Sequence, residues 1–336
     1  MTTHDAKPSA LGIHHVTAIC GDPQRNLDFY AGVLGLRFVK RTVNFDDPDT
    51  YHFYYGDEAG TPGSILTFFP WPAANRGRIG VGQVAVTSFA APPAALGFWI
   101  ERLLGKGVRY QGPTRGSTDT PGDHQVLAFA DPDGLLLQIV ATAGAASRPG
   151  WDGAPGIDAA HSLRGFHSVT LWETAAEPTA RVLVDALGFR DIEDHDGARV
   201  YDADDGGPGK RVYVRSVGGF PRGMGGVGTV HHVAWRAADG TEQLAIRARL
   251  TAARLDPTPV IDRTYFRSVY FHEPGGVLFE LATDDPGFTV DEPIDRLGEG
   301  LMLPPGVERL RAQIESILPS IHLPGAEGPA SSGTGA

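Results

Sequence analysis

Alternating apolar and polar positions divide this chain into four similar stretches. Four short runs of β type lie in one register: Ile13-His14-His15-Val16-Thr17, Val81-Gly82-Gln83-Val84-Ala85, Phe166-His167-Ser168-Val169-Thr170 and Val230-His231-His232-Val233-Ala234. A helical stretch follows each. After the first, Asp22-Pro23 reads as a cap with proline at the first helical position. Leu27, Tyr30 and Val33/Leu34 then form one apolar face, and Gly35 supplies the stop. The other helical stretches are 93–104, 179–187 (closed by Gly188) and 241–255. Alternating runs such as 39–43, 51–55 and 64–69 come next. The second and fourth units end alike, with the tight turns Asp131-Pro132-Asp133-Gly134 and Glu273-Pro274-Gly275-Gly276 feeding apolar strands.

Each unit therefore reads strand, helix, then about three strands, over residues near 12–70, 78–141, 163–217 and 227–283. The expected fold is α+β, with four βαβββ modules paired into two cup-shaped mixed sheets. The Ala-, Gly-, Pro- and Asp-rich stretch 142–160 reads as a linker between an N-terminal half, 10–141, and a C-terminal half, 161–285. An extension, 286–323, carries an amphipathic helix built on Val307, Leu310, Ile314 and Ile317/Leu318; 324–336 has a disordered composition.

A repeat allows positions to be compared within one chain. The fourth residue of Gly12-Ile13-His14-His15 defines a slot filled in turn by His15, Gln83, Ser168 and His232. A second slot lies four residues after the glycine opening each unit's last strand. It holds Thr67, Gln138, Tyr213 and Glu280, of which only Glu280 is a carboxylate. Two histidines and one carboxylate with open positions are the ligand set of non-haem Fe(II) chemistry with O2. No thiolate accompanies them, which argues against a structural zinc site. One ion shared by His15 and His232 requires the first unit to face the fourth across a cup, with the second and third pairing as a metal-free support. His167 aligns with His14, one position before the slot, and reads as structural. His52, His124, His161, His195, His272 and His322 have no counterpart in register and read as solvated or loop residues, as does Glu273; Cys20 reads as a packed side chain.

The 336 residues carry 29 Lys and Arg against 40 Asp and Glu, a net charge of −11, which argues against a nucleic-acid partner. Apolar runs are interrupted well short of the ~20 residues that span a bilayer, so no membrane segment is expected. The N-terminus lacks the pattern of a secretory signal and the chain has one cysteine, so the expected location is cytoplasmic. Self-association into a homo-oligomer stays open.

Three motifs, Gly12-Ile13-His14-His15-Val16-Thr17, Thr229-Val230-His231-His232-Val233-Ala234-Trp235 and Gly276-Val277-Leu278-Phe279-Glu280-Leu281, resemble the vicinal oxygen chelate superfamily, which includes glyoxalase I and extradiol dioxygenases. Within it, 36–55 (LRFVKRTVNFDDPDTYHFYY), Phe68-Phe69-Pro70-Trp71 and 258–286 (TPVIDRTYFRSVYFHEPGGVLFELATDDP) are similar to the hydroquinone-type ring-cleaving dioxygenases. The resemblance implies Fe(II), with Mn(II) as the alternative, held by His15, His232 and Glu280. It also implies a small aromatic substrate cleaved next to a hydroxyl by O2, and supporting roles for His14, Thr17, His231, Arg263 and Tyr270. Strand alternation places Thr17 on the face of His15 but His14 and His231 on the opposite face. A bulge, or contact through the back of the ligand imidazoles, would reconcile the two. The rival readings are an extradiol catechol dioxygenase using His167, His232 and Glu280; a glyoxalase-type isomerase or transferase drawing a fourth ligand from Gln83, Gln138 or Ser168; and a non-catalytic protein that binds aromatics or drugs.

Overall fold

The computed structural model describes residues 8–195 and 197–323; the stretch 324–336, read above as disordered in composition, lies outside them. The first unit holds β1 (Ile13–Cys20), β2 (Arg37–Asn44), β3 (Asp47–Gly56) and β4 (Ile65–Pro70). The second holds β5 (Gln83–Ala91), β6 (Tyr110–Arg115), β7 (Gln125–Ala130) and β8 (Leu136–Ala141). The third holds β9 (Phe166–Glu173), β10 (Arg190–His195), β11 (Ala198–Asp202) and β12 (Arg211–Ser216). The fourth holds β13 (Thr229–Ala237), β14 (Ile261–Asp262), β15 (Arg267–His272) and β16 (Leu278–Thr283).

These strands form two eight-stranded mixed sheets, ordered β14-β15-β16-β13-β1-β4-β3-β2 and β10-β11-β12-β9-β5-β8-β7-β6. The first unit therefore pairs with the fourth through antiparallel β1 and β13, and the second with the third through β5 and β9, as one ion shared by His15 and His232 required. Within a unit the first and last strands run parallel, β1 beside β4 and β13 beside β16. A parallel neighbour needs a crossover connection, which the helix after each first strand begins.

The helices depart from the expected form in two units. Asp22 caps its helix as read, accepting from the Arg25 backbone N–H at 2.7 Å, but regular α geometry covers only Pro23–Leu27 before a widened π turn over Asp28–Val33. The third unit repeats this, with Ala176–Arg181 followed by the π turn Val182–Ala186. The widened turn sends the Leu34 N–H to Phe29 O, five residues back, just before Gly35 takes φ +68°.

One large apolar core runs through both sheets, with Trp99 and Trp235 fully buried in it. A smaller cluster, including Tyr54, Tyr265, Phe266 and Phe288, underlies the cup of the first sheet. The C-terminal extension closes that floor. Its Asp291 and Glu292 meet the buried Lys40 Nζ at 2.6 and 2.5 Å, and Asp291 also accepts from the Tyr265 hydroxyl at 2.9 Å. Further on, the helix Arg311–Ile317 buries Ile314 against the main core, whereas Leu310 and Ile317 stay exposed. No helix among the described residues is long and apolar enough to cross a membrane.

Candidate metal centre

His15, His232 and Glu280 come from three adjacent strands, β1, β13 and β16, and all three are buried. Among the described residues they form the group whose ligand atoms all lie within 4.8 Å of one another. His15 Nε2 is 3.1 Å and His232 Nε2 2.9 Å from Glu280 Oε2, and the two Nε2 atoms are 3.3 Å apart. Hydrogen-bond polarity determines what these atoms present. The Thr283 carbonyl, which can only accept, lies 3.0 Å from His14 Nε2, so that nitrogen carries a proton. His14 Nδ1 is then bare and takes the Nδ1 proton of His15 at 2.9 Å, which leaves His15 Nε2 as a lone pair. The Ser268 hydroxyl donates to Glu280 Oε1 at 2.5 Å, while Oε2 accepts no hydrogen bond. A lone pair and a carboxylate oxygen facing each other in a buried site repel unless a cation lies between them. The donor set therefore fits a divalent ion.

The charge states agree. Burial pushes His232 below the ordinary imidazole pKa, so it is neutral. Burial opposes ionisation of Glu280, and positive charge at the His15 and His232 positions outweighs it and holds the carboxyl well below its usual range; with both imidazoles neutral, a bound cation would supply that charge. A divalent ion on two neutral imidazoles and one carboxylate would keep a residual positive charge and open positions.

The doubled histidines are explained by two bulges. Along β1 the partner of Ile13 is Trp235 and that of His15 is Ala234, so His14 is an extra residue. Along β13 the pairs Thr17–His232 and Ala18–Val230 make His231 the extra residue. Each bulge turns the preceding ring onto the back of the ligand imidazole, with His231 Nδ1 2.7 Å from His232 Nδ1. Burial lowers the pKa of both His14 and His231 to about 3. Only His231 of this pair reaches the cavity above the centre, which measures about 330 Å³. Phe69, Trp71 and Phe266 give that cavity aromatic walls. Tyr270, opposite Glu280 in the sheet, and Arg263 line the same side. The Arg263 guanidinium lies 5.5 Å over the Tyr270 ring and 3.0 Å from Asp46. Burial raises the Tyr270 pKa, keeping its hydroxyl protonated. Thr17 is buried beneath, accepting from the Thr67 hydroxyl at 2.8 Å.

A sequence profile described as the Glyoxalase/Bleomycin resistance protein/Dioxygenase superfamily matches residues 12–139. MhqO of Bacillus subtilis (strain 168), whose name describes a candidate ring-cleaving dioxygenase, is 45% identical over 91% of this chain and 95% of its own length. The chain belongs to this superfamily. A second relative, the chlorohydroquinone/hydroquinone 1,2-dioxygenase of Sphingobium indicum, is 32% identical over 90% of this chain and 94% of its own. A crystal structure of a candidate dioxygenase from B. subtilis superposes with a TM-score of 0.87 at 42% identity, covering 95% of this chain and 99% of that one.

In this superfamily member the structure corrects four sequence readings, two of them in the second sheet. That sheet's bulges fall at Ala85, skipped between Val84–Leu171 and Val86–Thr170, and at His167, skipped between Ser88–Ser168 and Phe89–Phe166. The residue following the first bulge is Val86, so Val86 and not Gln83 is the counterpart of His15. Plain alternation missed the bulge at His167, whose ring meets Ser168 Oγ at 2.9 Å and His124 at 5.2 Å. The second slot needs no such shift: Thr17–Thr67, Ser88–Gln138, Thr170–Tyr213 and Ala234–Glu280 are equivalent pairs of parallel neighbours. His52, set aside above as solvated, instead lines the cavity with Tyr54. The signal available for them was the alternation of β3, which puts 52 and 54 on one face. Glu273 is buried rather than solvated, accepting from Thr179 and from the Val277 N–H.

Proposed function

We propose that this chain is an Fe(II)-dependent dioxygenase that cleaves a hydroquinone-type ring next to a hydroxyl, with His15, His232 and Glu280 holding the metal. The observation carrying this reading is the convergence of two imidazole Nε2 atoms on an orphaned buried carboxylate oxygen at the floor of an aromatic-walled cavity. Its relatives' names, ring-cleaving dioxygenase and hydroquinone dioxygenase, support the same chemistry. The ion, when bound, would supply a Lewis acid that eases loss of a phenol proton and a redox partner for O2.

The chain supplies everything around it. Phe69, stacked on Trp71 with ring centres 5.5 Å apart, offers a flat apolar wall to an aromatic ring and keeps water away. His14 and His231 hold the two ligand imidazoles from behind. His14 has both nitrogens engaged and is walled off from the cavity, so proton handling falls to His231, which reaches it. Tyr270, held protonated, donates from beside Glu280, and the Arg263 cation stabilises negative charge that develops on the substrate. His167, Gln138 and Ser168 belong to the other sheet, and Gln83 precedes its slot by three residues, which favours this reading over the catechol reading with His167 and over a fourth protein ligand.

Anaerobic loading with Fe(II) or Mn(II), then oxygen uptake with hydroquinone, catechol and a hemithioacetal in parallel, tests the assignment. The expected result is uptake with hydroquinone that depends on Fe(II). Preference for catechol would reject the substrate class, and turnover of the hemithioacetal without uptake would reject the dioxygenase.

A further inference from the structure

The wall of the cavity formed by the first unit repeats, residue for residue, the apparatus that holds Glu280. On the fourth unit's side, Tyr270 pairs with Glu280 across β15 and β16, and Ser268, two residues before, donates to the Glu280 carboxylate. On the first unit's side, Tyr54 pairs with Thr67 across β3 and β4, and His52, two residues before, reaches Thr67 Oγ1 at 2.9 Å. Thr67 and Glu280 occupy the same slot, so Tyr54 faces the cavity from the position equivalent to Tyr270. A threonine has replaced the carboxylate, and this side has no metal to hold.

The hydrogen bonds on this side run in one direction. The Thr67 hydroxyl gives its single proton to Thr17, so it accepts from His52 Nε2–H. His52 Nδ1 is then bare and accepts the Tyr54 hydroxyl at 2.9 Å. Burial lowers the His52 pKa and raises that of Tyr54, so both stay neutral in this arrangement. Tyr54 is left with its proton spent inward and its oxygen lone pairs free for an incoming donor. The His52 ring is braced by Phe69, with ring centres 4.3 Å apart. Strand β3 lies two places from β1 in the sheet, roughly 10 Å away at ordinary strand spacing.

We propose that this wall selects the substrate: the Tyr54 oxygen accepts a hydrogen bond from the ring hydroxyl para to the one at the metal centre, and His52 is the positioning residue that aims it. A 1,4-diol carries its hydroxyls at opposite edges of the ring and meets both walls. A 1,2-diol carries both at one edge and leaves Tyr54 unmatched. The inference rests on the aromatic-diol reading above and can be tested apart from it.

Titration calorimetry under nitrogen, on the Fe(II)-loaded protein, compares hydroquinone with 4-methylphenol, which has a methyl group in place of the far hydroxyl. Hydroquinone should bind about tenfold more tightly, the value of one well-made hydrogen bond. Tyr54→Phe should erase that preference by weakening hydroquinone while leaving 4-methylphenol unchanged. His52→Phe, which keeps a ring against Phe69, should erase part of it. Equal weakening of both ligands by Tyr54→Phe, or no preference in the unaltered protein, overturns the proposal; an intact preference in His52→Phe overturns the role of His52. A protein that shows the Tyr54-dependent preference yet consumes no oxygen keeps this inference and sinks the dioxygenase reading instead.

Discussion

The two sheets share strand order, crossover pattern and paired bulges, yet among the described residues only the first brings together side chains that could hold a metal. In the sheet made by the first and fourth units, the turn between β2 and β3 is short, so the cup stays open above His15, His232 and Glu280. In the other sheet the equivalent loop between β6 and β7 folds inward and satisfies the slots with the chain itself. The Thr120 hydroxyl donates to Gln138 Oε1 at 2.6 Å, Thr170 donates to Asp119 O at 2.5 Å, and the Tyr213 hydroxyl donates to Pro121 O at 3.2 Å. The bulges therefore belong to the fold and not to the metal. They aim whatever side chain follows them into the cup, and chemistry arises where three aimed groups are left unsatisfied.

The sharpest way to break this contrast is to remove one aimed group. His15→Ala, His232→Ala or Glu280→Ala should each abolish metal retention and turnover together, as read by elemental analysis after dialysis and by oxygen uptake. Retention of full metal by Glu280→Ala would mean that Glu280 is not a ligand and that the contrast drawn between the two sheets is wrong. A milder change acts from behind the ligand. His14→Phe fills the bulge but leaves the His15 Nδ1 proton unclaimed, freeing the ring to turn and to change tautomer. Metal affinity should fall by about 10–100-fold while the fold persists, measured by competition with a chromophoric chelator. The same change at His167 in the closed sheet should leave affinity untouched.

What could be read in the sequence follows from what a repeat preserves. His15, His232 and Glu280 stood out because equivalent strands keep their spacing to a glycine, and the pairing of the first unit with the fourth followed from asking one ion to satisfy all three. The bulges could not be read. An inserted residue leaves the apolar alternation on either side intact, so it showed only as a conflict over His14 and His231. In the second unit it hid completely, and the slot was assigned to Gln83 instead of Val86. His52 was missed for another reason: alternation along β3 gives its face but not its partners. Its neighbours Thr67, Thr17 and Phe69 are set by pairing between strands, and a comparison along the chain has no access to that pairing.

The sheets also differ where each cup's first strand ends against a tight turn from another unit. At one junction Cys20 ends β1 beneath the turn Asp131–Gly134, where Asp131 accepts from the Tyr30 hydroxyl at 2.9 Å and Arg25 pairs with Asp133 at 2.5 Å. At the equivalent junction Glu173 ends β9 beneath the turn Glu273–Gly276, with both carboxylate oxygens unpartnered. A Cβ at Gly275 would fall 1.9 Å from Glu173 Oε2, so a larger residue there would displace the carboxylate. Burial, reinforced by the nearby Glu273, raises the Glu173 pKa from 4.5 to about 8. Between those values the folded protein binds a proton that the unfolded chain does not, so folding free energy is fully present below pH 4.5 and declines as pH rises towards 8. The limit is about 1.4 kcal/mol per pH unit across that window. Glu173→Gln, neutral at every pH, should flatten the decline and raise the melting temperature at pH 8 but not at pH 4.5, whereas Cys20→Ser at the other junction should leave the pH profile unchanged. Equal shifts of the Glu173→Gln melting temperature at both pH values would mean that the carboxyl is ionised in the fold and that the two junctions differ only in packing.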